Sequence, residues 1–506
     1  MVSVYSNLLV YEDEKYTHLP TTAGASAPVH RNLDPALHPF SKQREYTRAV
    51  NAAKIDRMFA KPFVAALEGH TDGVYTLGRD PRRTDVVAGG GGDGEIILHS
   101  LSGRKPIVRI PDAHRGQVTG LCFSADNNVA ERRLISCGRD QTIKIWSSPS
   151  LTQTGISEEQ PAASSSIGRP PSPTPGITTD DFDPNFLSSV NLPPPPPPLF
   201  TYSSKYAFQS ISHHRSDPVF ATASNCVQIW DETKSSPLST LKFGATMESV
   251  LGVRFNQSER SVLASVGSER TMCLYDIRTG KAERQVRMTM KSNSLSWCPT
   301  LPTVLLLASE DHNLYTFDIR NLASPTQIYK DHVAAVMSCD WSPTGEEFVS
   351  GGWDRSVRIW DRTEGKSKDV YHTKRMQRVM DVAYTPTSTF VMSASDDGNI
   401  RLWKSKASAS LGVVDSRERA SREYRAKLVD KWGKTDAVRR IEKRRHIPSS
   451  IHNATKLKRE MIDARKAKEE NRRRHTKAGL TKPKAEKKKV YFSVSPPSSL
   501  QQELEN

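Results

Sequence analysis

Val336 to Asp361 reads VMSCDWSPTGEEFVSGGWDRSVRIWD. Apolar and polar residues alternate through it, broken at Ser-Pro-Thr-Gly-Glu and Gly-Trp-Asp-Arg-Ser, so it reads as two or three short strands joined by turns. The aromatic that closes the run, Trp360, has counterparts in Trp146, Trp230, Tyr275, Phe317 and Trp403, with His99 in a weaker first copy. From His99 onward the spacings are 47, 84, 45, 42, 43 and 43 residues, and the 84 contains an insertion. Seven units at a period of roughly 40–45 residues follow. No unit buries both faces of its strands alone. Stacked radially around a channel they cover one another, so the expected fold is all-β, a seven-bladed β-propeller over residues 62–404.

The pattern resembles the WD-repeat family most specifically in blades two, six and seven. The resemblance implies a hydrogen-bonded tetrad in each: His114, Ser136, Asp140 and Trp146; His332, Ser350, Asp354 and Trp360; His372, Ser393, Asp397 and Trp403. A buried imidazole, hydroxyl, carboxylate and indole N–H satisfy one another, and the indole adds apolar area. Blade one carries Gly89 and His99 in the Ser and Trp slots, and blades three to five lack the histidine. Apolar packing is therefore expected to hold those four. Ser, His and Asp are also hydrolase-triad types, but a triad occurs once and needs a cleft and an oxyanion hole, whereas this set recurs with the repeat. The glycine run from Ala88 is not followed by the Gly-Lys-Ser/Thr of a phosphate loop and reads as a turn. The apolar run from Pro62, ahead of Gly69-His70, is placed to complete the last blade and close the ring.

Six cysteines stand singly inside apolar runs, with no Cys-x-x-Cys pair, so a reduced compartment and no metal are expected. No run approaches the ~20 apolar residues that span a bilayer, and no basic leader precedes the N-terminal apolar stretch; a soluble, unsecreted chain with no membrane partner is expected. The net charge of +16 is not spread evenly. Lys404 to Lys489 holds 29 Lys+Arg against 11 Asp+Glu, whereas residues 1–403 carry 43 of each. A cation surface confined to one segment points to a polyanionic partner, or to a solvated tail with a nuclear import signal.

Residues 148–199 hold 13 of the 32 prolines and read as a disordered insertion after the third strand of blade two, with Ser172-Pro and Thr174-Pro as candidate modification sites. Within the N-terminal extension, 1–61, Ser41 is placed to cap a helix running to about Phe59, either a rim helix or a docking arm. Residues 405–475 read as a basic helical extension. Asp415 and Glu418 stand at capping-box spacing, Gly433 is a stop, Thr435 a second cap, and a third helix follows Pro448. Residues 476–506 read as a basic, then polar, disordered tail, with KPKAEKKK suited to a nuclear signal.

Three blocks together, RNLDPALHPFSKQREYTRAVNAAKIDRMFAKPF, the propeller, and SREYRAKLVDKWGKTDAVRRIEKRRHIPSSIHNATKLKREM, look like the SOF family of nucleolar WD-repeat proteins, whose signature is the helical extension after the propeller. The resemblance implies a non-enzymatic component of the U3 small nucleolar ribonucleoprotein and small-subunit processome, acting in pre-18S rRNA processing and 40S assembly in the nucleolus and nucleus. Implied partners are processome proteins and, directly or indirectly, U3 small nucleolar RNA or pre-rRNA; no catalytic residue, cofactor or small-molecule substrate is implied. Arg439, Arg440, Lys443, Arg444, Arg445, Lys456, Lys458 and Arg459 are the candidate phosphate contacts, with Lys374, Arg375 and Arg378 at the edge of blade seven. Members of the family also resemble substrate receptors of the cullin-4 RING ubiquitin ligase, which dock on its adaptor through a Trp-Asp-x-Arg box. Here Tyr275-Asp276-Ile277-Arg278 and Phe317-Asp318-Ile319-Arg320 correspond, making Asp276, Arg278, Asp318 and Arg320 candidate adaptor contacts, with turn capping as the other account of both aspartates.

Overall fold

The computed structural model describes residues 40–81, 83–124, 133–147, 195–241, 249–477, 480–483 and 485–494. The chain forms two compact units, one of the described residues up to Phe59 with Ser410–Arg444, the other of Ala60–Ala409 with the described residues from Arg445 onward.

The second unit is a seven-bladed β-propeller. Its blades span Val74–Ile110, Val118–Ser203, Ser210–Leu241, Val250–Met288, Ser292–Tyr329, Val336–Tyr371 and Val379–Lys404, each an antiparallel sheet. Phe63–Leu67 pairs with Ile400–Lys404 as the outer strand of blade seven, and Phe63 meets Trp403 edge-on at 5.6 Å. The core lies between blades, as alternation requires. Leu305, Leu307, Tyr315 and Phe317 of blade five pack on Leu274, Val286 and Met288 of blade four. The first strands of all seven blades surround a central cavity of about 120 Å³.

Two boundaries differ from expectation. The proline-rich insertion, with Ser172 and Thr174, lies outside the described residues up to 194, but Pro198–Ser203 is the outer strand of blade two, paired with Thr142–Ser147. Proline at the start of an edge strand costs no ladder bond, because its missing N–H faces away from the neighbour. The tail does not stay apart either. Glu486–Lys489 forms a turn of 3-10 helix, with Glu486 paired to Lys330, and Tyr491–Val494 adds a fifth strand to the outer edge of blade four against Lys281–Met288. An open strand edge presents a row of unpaired N–H and C=O groups, and a short extended segment satisfies them.

The first unit consists of α1 (Ser41–Met58), α2 (Ser416–Trp432) and α3 (Asp436–Glu442). Ala49 and Ala53 of α1 are buried against Leu428 and Val438, with Tyr46 edge-on to Trp432 at 5.6 Å. Glu45 pairs with Lys431, and Arg57 donates to the Glu442 carbonyl. The N-terminal helix is thus a partner of the extension helices. Its small apolar face suits that role, because alanines let helix backbones approach closely. The helix termini depart from the expected caps. Phe40 occupies the N-cap of α1, Glu418 pairs with Arg422 at 2.5 Å, and the Thr435 hydroxyl donates to the Trp432 carbonyl. The last helix, α4 (Ser449–Arg474), follows Pro448 within the propeller unit.

Candidate functional site

The tetrads of blades two and six close as hydrogen-bonded sets. In blade six, Ser350 Oγ lies 2.7 Å from His332 Nε2 and accepts from Trp360 Nε1 at 2.7 Å, while His332 Nδ1 faces Asp354 at 2.9 Å. Blade two repeats this with Ser136, His114, Trp146 and Asp140 at 2.7 to 3.1 Å. Burial lowers the pKa of both histidines against the opposing pull of Asp140 or Asp354. These groups spend their polar atoms on one another inside the blade.

Blade seven departs from the expected set. Trp403 Nε1 donates to Ser393 at 2.8 Å, but Asp397 is held by Arg401 and Ser395, and His372 Nε2 lies 3.3 Å from the His446 carbonyl. Arg401 supplies a charge-assisted partner that an imidazole would otherwise provide. Blades three to five also keep polar links. Trp230 Nε1 donates to Thr222 at 2.9 Å, Ser265 to Tyr275 at 3.3 Å, and the Tyr315 hydroxyl to Asp311. Thr222 and Tyr275 stand in the serine and tryptophan registers of their blades, whereas Tyr315 stands where Arg401 does in blade seven, two residues before the aromatic slot at Phe317.

The candidate cations fall into both units. Arg439 and Arg440 lie on α3, and Lys443 and Arg444 just beyond it, all four solvent-exposed. Arg445, Lys456, Lys458 and Arg459 belong to the propeller unit, where Lys456 and Arg459 are exposed on α4. Lys458 and Arg445 depart from a phosphate-facing role. Lys458 Nζ donates to the His332 carbonyl at 2.8 Å, and Arg445 Nε to the Lys368 carbonyl at 2.7 Å. Burial lowers the Lys458 pKa, with Asp311 opposing and Arg358 reinforcing the shift. Both residues fasten the start of α4 to blade six.

Lys374 and Arg375 are exposed on the loop that Met376 anchors in the core. Arg378, at the end of that loop, places its guanidinium 4.7 Å from the centre of the Trp353 ring. Trp353 escaped the sequence reading because it occupies a turn; a tryptophan outside any strand slot was the available signal. Asp276 and Asp318 each accept a backbone N–H from the arginine two residues on, at 2.9 and 3.0 Å, as Asp361 does from Thr363 at 2.8 Å. Turn capping therefore accounts for both carboxylates. Arg278 and Arg320 remain exposed at corresponding ends of neighbouring blades.

Residues 405–491 match the family model described as Sof1-like domain, and residues 105–147, 323–361 and 366–404 match the WD domain, G-beta repeat. Protein SOF1 of Saccharomyces cerevisiae is 36% identical over 469 residues, 91% of this chain and 89% of its own length. The chain belongs to the Sof1 family. DDB1- and CUL4-associated factor 13 of Mus musculus is 40% identical, and that of Xenopus laevis 38%, each over 466 residues, 92% of this chain and 94% of the relative. In this Sof1-family chain the Sof1-like match runs through α2, α3, α4 and the 3-10 turn to the first residue of the added strand. The family segment therefore contributes to both compact units.

Proposed function

We propose that the protein is a non-enzymatic scaffold of ribosome biogenesis, a component of the U3 small nucleolar ribonucleoprotein and small-subunit processome that supports pre-18S rRNA processing and 40S assembly in the nucleolus. The observation that carries this is the likeness to Protein SOF1 through 91% of the chain, Sof1-like extension included, rather than through the repeats alone. The physics agrees with the role. A ring whose polar sets are turned inward presents loops and edges for proteins, while exposed Arg439, Arg440, Lys443, Arg444, Lys456 and Arg459 suit sequence-independent phosphate contact. A second reading, substrate receptor for a cullin-4 ligase, is favoured by the relatives named DDB1- and CUL4-associated factor 13 and by the exposed Arg278 and Arg320.

One set of purifications separates the readings. Arg439→Glu, Arg440→Glu and Arg444→Glu together are expected to release the protein from pre-ribosomal particles and to slow pre-18S processing with the propeller still folded; unchanged sedimentation with the particles defeats the RNA-anchor role. Arg278→Ala with Arg320→Ala is expected to abolish capture of the ligase adaptor while rRNA processing continues, and retained capture removes the second reading.

A further inference from the structure

We propose that Trp353 and Arg378 form a stacking platform for an unpaired nucleobase of single-stranded RNA, with Lys374 and Arg375 holding the flanking phosphates; this rests on the RNA-binding reading above and adds a second, base-stacking site on the propeller itself. Trp353 is 43% exposed, although burial of so large an aromatic is the usual outcome. Its position is fixed by the blade. The Trp353 N–H donates to the Ala335 carbonyl at 2.9 Å, and the next residue, Asp354, is locked by His332 Nδ1 and by the Ser356 N–H and hydroxyl at 3.2 and 2.8 Å. With the backbone beneath it fixed and Arg378 over one face, the exposed ring has few torsions to lose on binding, which is what a recognition anchor requires.

The surroundings specify the ligand. Arg378 lays a planar cation over one face of the ring, so the ring's other face and the outer face of the guanidinium accept a base by stacking, and neither reads its hydrogen-bonding edge. Lys374 and Arg375 have no acidic partner among the described residues. The backbone N–H of Asp396 donates to the Arg378 carbonyl at 3.0 Å, which fixes the end of the loop against the neighbouring strand. An aromatic with a guanidinium over its face and two further exposed cations on the same loop suits a strand that offers π faces and phosphates together. Paired RNA hides its bases inside the helix and offers the phosphates alone.

The test uses the full-length protein and three probes measured by fluorescence anisotropy: a 12-nucleotide oligouridine, the same backbone carrying abasic sites, and a 12-base-pair RNA duplex. Trp353→Ala is expected to weaken oligouridine binding on the order of tenfold, the scale of one lost base–aromatic stack, and to leave the abasic and duplex affinities unchanged. Trp353→Phe keeps a π face and is expected to restore most of the loss, which a purely structural role would not predict. Equal affinity of the wild type for oligouridine and its abasic analogue overturns the proposal, as does unaltered oligouridine binding by Trp353→Ala. The triple glutamate variant of the extension, run in parallel, separates the two readings. Loss of duplex binding there with no Trp353 effect leaves the extension as RNA anchor and removes the platform; absence of any RNA binding by the wild type removes both.

Discussion

Ser350 Oγ serves two buried neighbours, His332 Nε2 and Trp360 Nε1, and the polar set in blade one lacks any such bridge. There Gly89 stands in the hydroxyl slot, and all four ring nitrogens of His70 and His99 are without a hydrogen-bond partner among the described residues. Burial, partly opposed by Asp93 and reinforced by Arg109, holds His70 down to about 4; burial and then His70 hold His99 down to about 3. Both imidazoles therefore stay neutral in the fold at a pH where the unfolded chain protonates them near 6.5. The unfolded state binds more protons below that value, so stability falls as pH drops from 6.5 toward 4 and then 3, by about 1.4 kcal/mol per unit for each group titrating only when unfolded. His99→Phe keeps the apolar volume and removes one of these groups. Urea midpoints measured from pH 7 to 4 are expected to decline less steeply for the variant than for the wild type, and parallel curves would show that blade one does not set the acid limit. The tetrad slots of blades two and six were legible because each is a residue type at a fixed offset; in blade seven the same offset picks out His372, while Arg401 holds Asp397. The left-handed position after the turn aspartate was legible only where it is glycine, at Gly94 and Gly398; Gln141, His312 and Arg355 adopt the same positive φ without any such signal.

Elements with their own period or stop residues could be read from the chain; elements defined by a distant partner could not. Strands of the repeat alternate, α2 ends at Gly433, and α3 ends before Pro448 while α4 begins directly after it. The assignment of α1 to the extension had no local trace. Ala49, Ala53, Leu428 and Val438 form one small core, but their pairing spans more than 370 residues of chain and is set by packing. Tyr491–Val494 is the same case in a sheet. Four residues, Tyr-Phe-Ser-Val, after a lysine run are too few to show a period, and only the open edge at Lys281–Met288 makes them a strand. The basic site was half legible for a related reason. Charge marks a cation but not its direction, and Lys458 and Arg445 are spent on backbone carbonyls of blade six.

At the scale of the molecule, ring closure changes how a local loss spreads. In an open stack each repeat contacts only its neighbours, and damage at one end stays there. Here the first described strand of the propeller completes the last blade, and charged side chains stitch the seam. Asp381 of blade seven accepts from the Leu77 N–H of blade one at 2.7 Å and from the Ser338 hydroxyl of blade six at 2.6 Å, and Arg79 of blade one pairs with Asp340 of blade six at 2.8 Å. Burial raises the Asp381 pKa, with those donors opposing it, so the carboxylate depends on keeping them. Leu67, fully buried with Val74, Val87, Ile400 and Leu402, is the apolar counterpart of that seam. Leu67→Ala is expected to cost about 2–5 kcal/mol, the usual range for a leucine truncated in a packed core. If closure couples the ring, amide exchange monitored by mass spectrometry accelerates in blade four, on the far side of the repeat order, as well as in blades seven and one. Faster exchange confined to the seam would mean that the blades unfold as an open array, and that the N-terminal strand fastens one blade without fastening the ring.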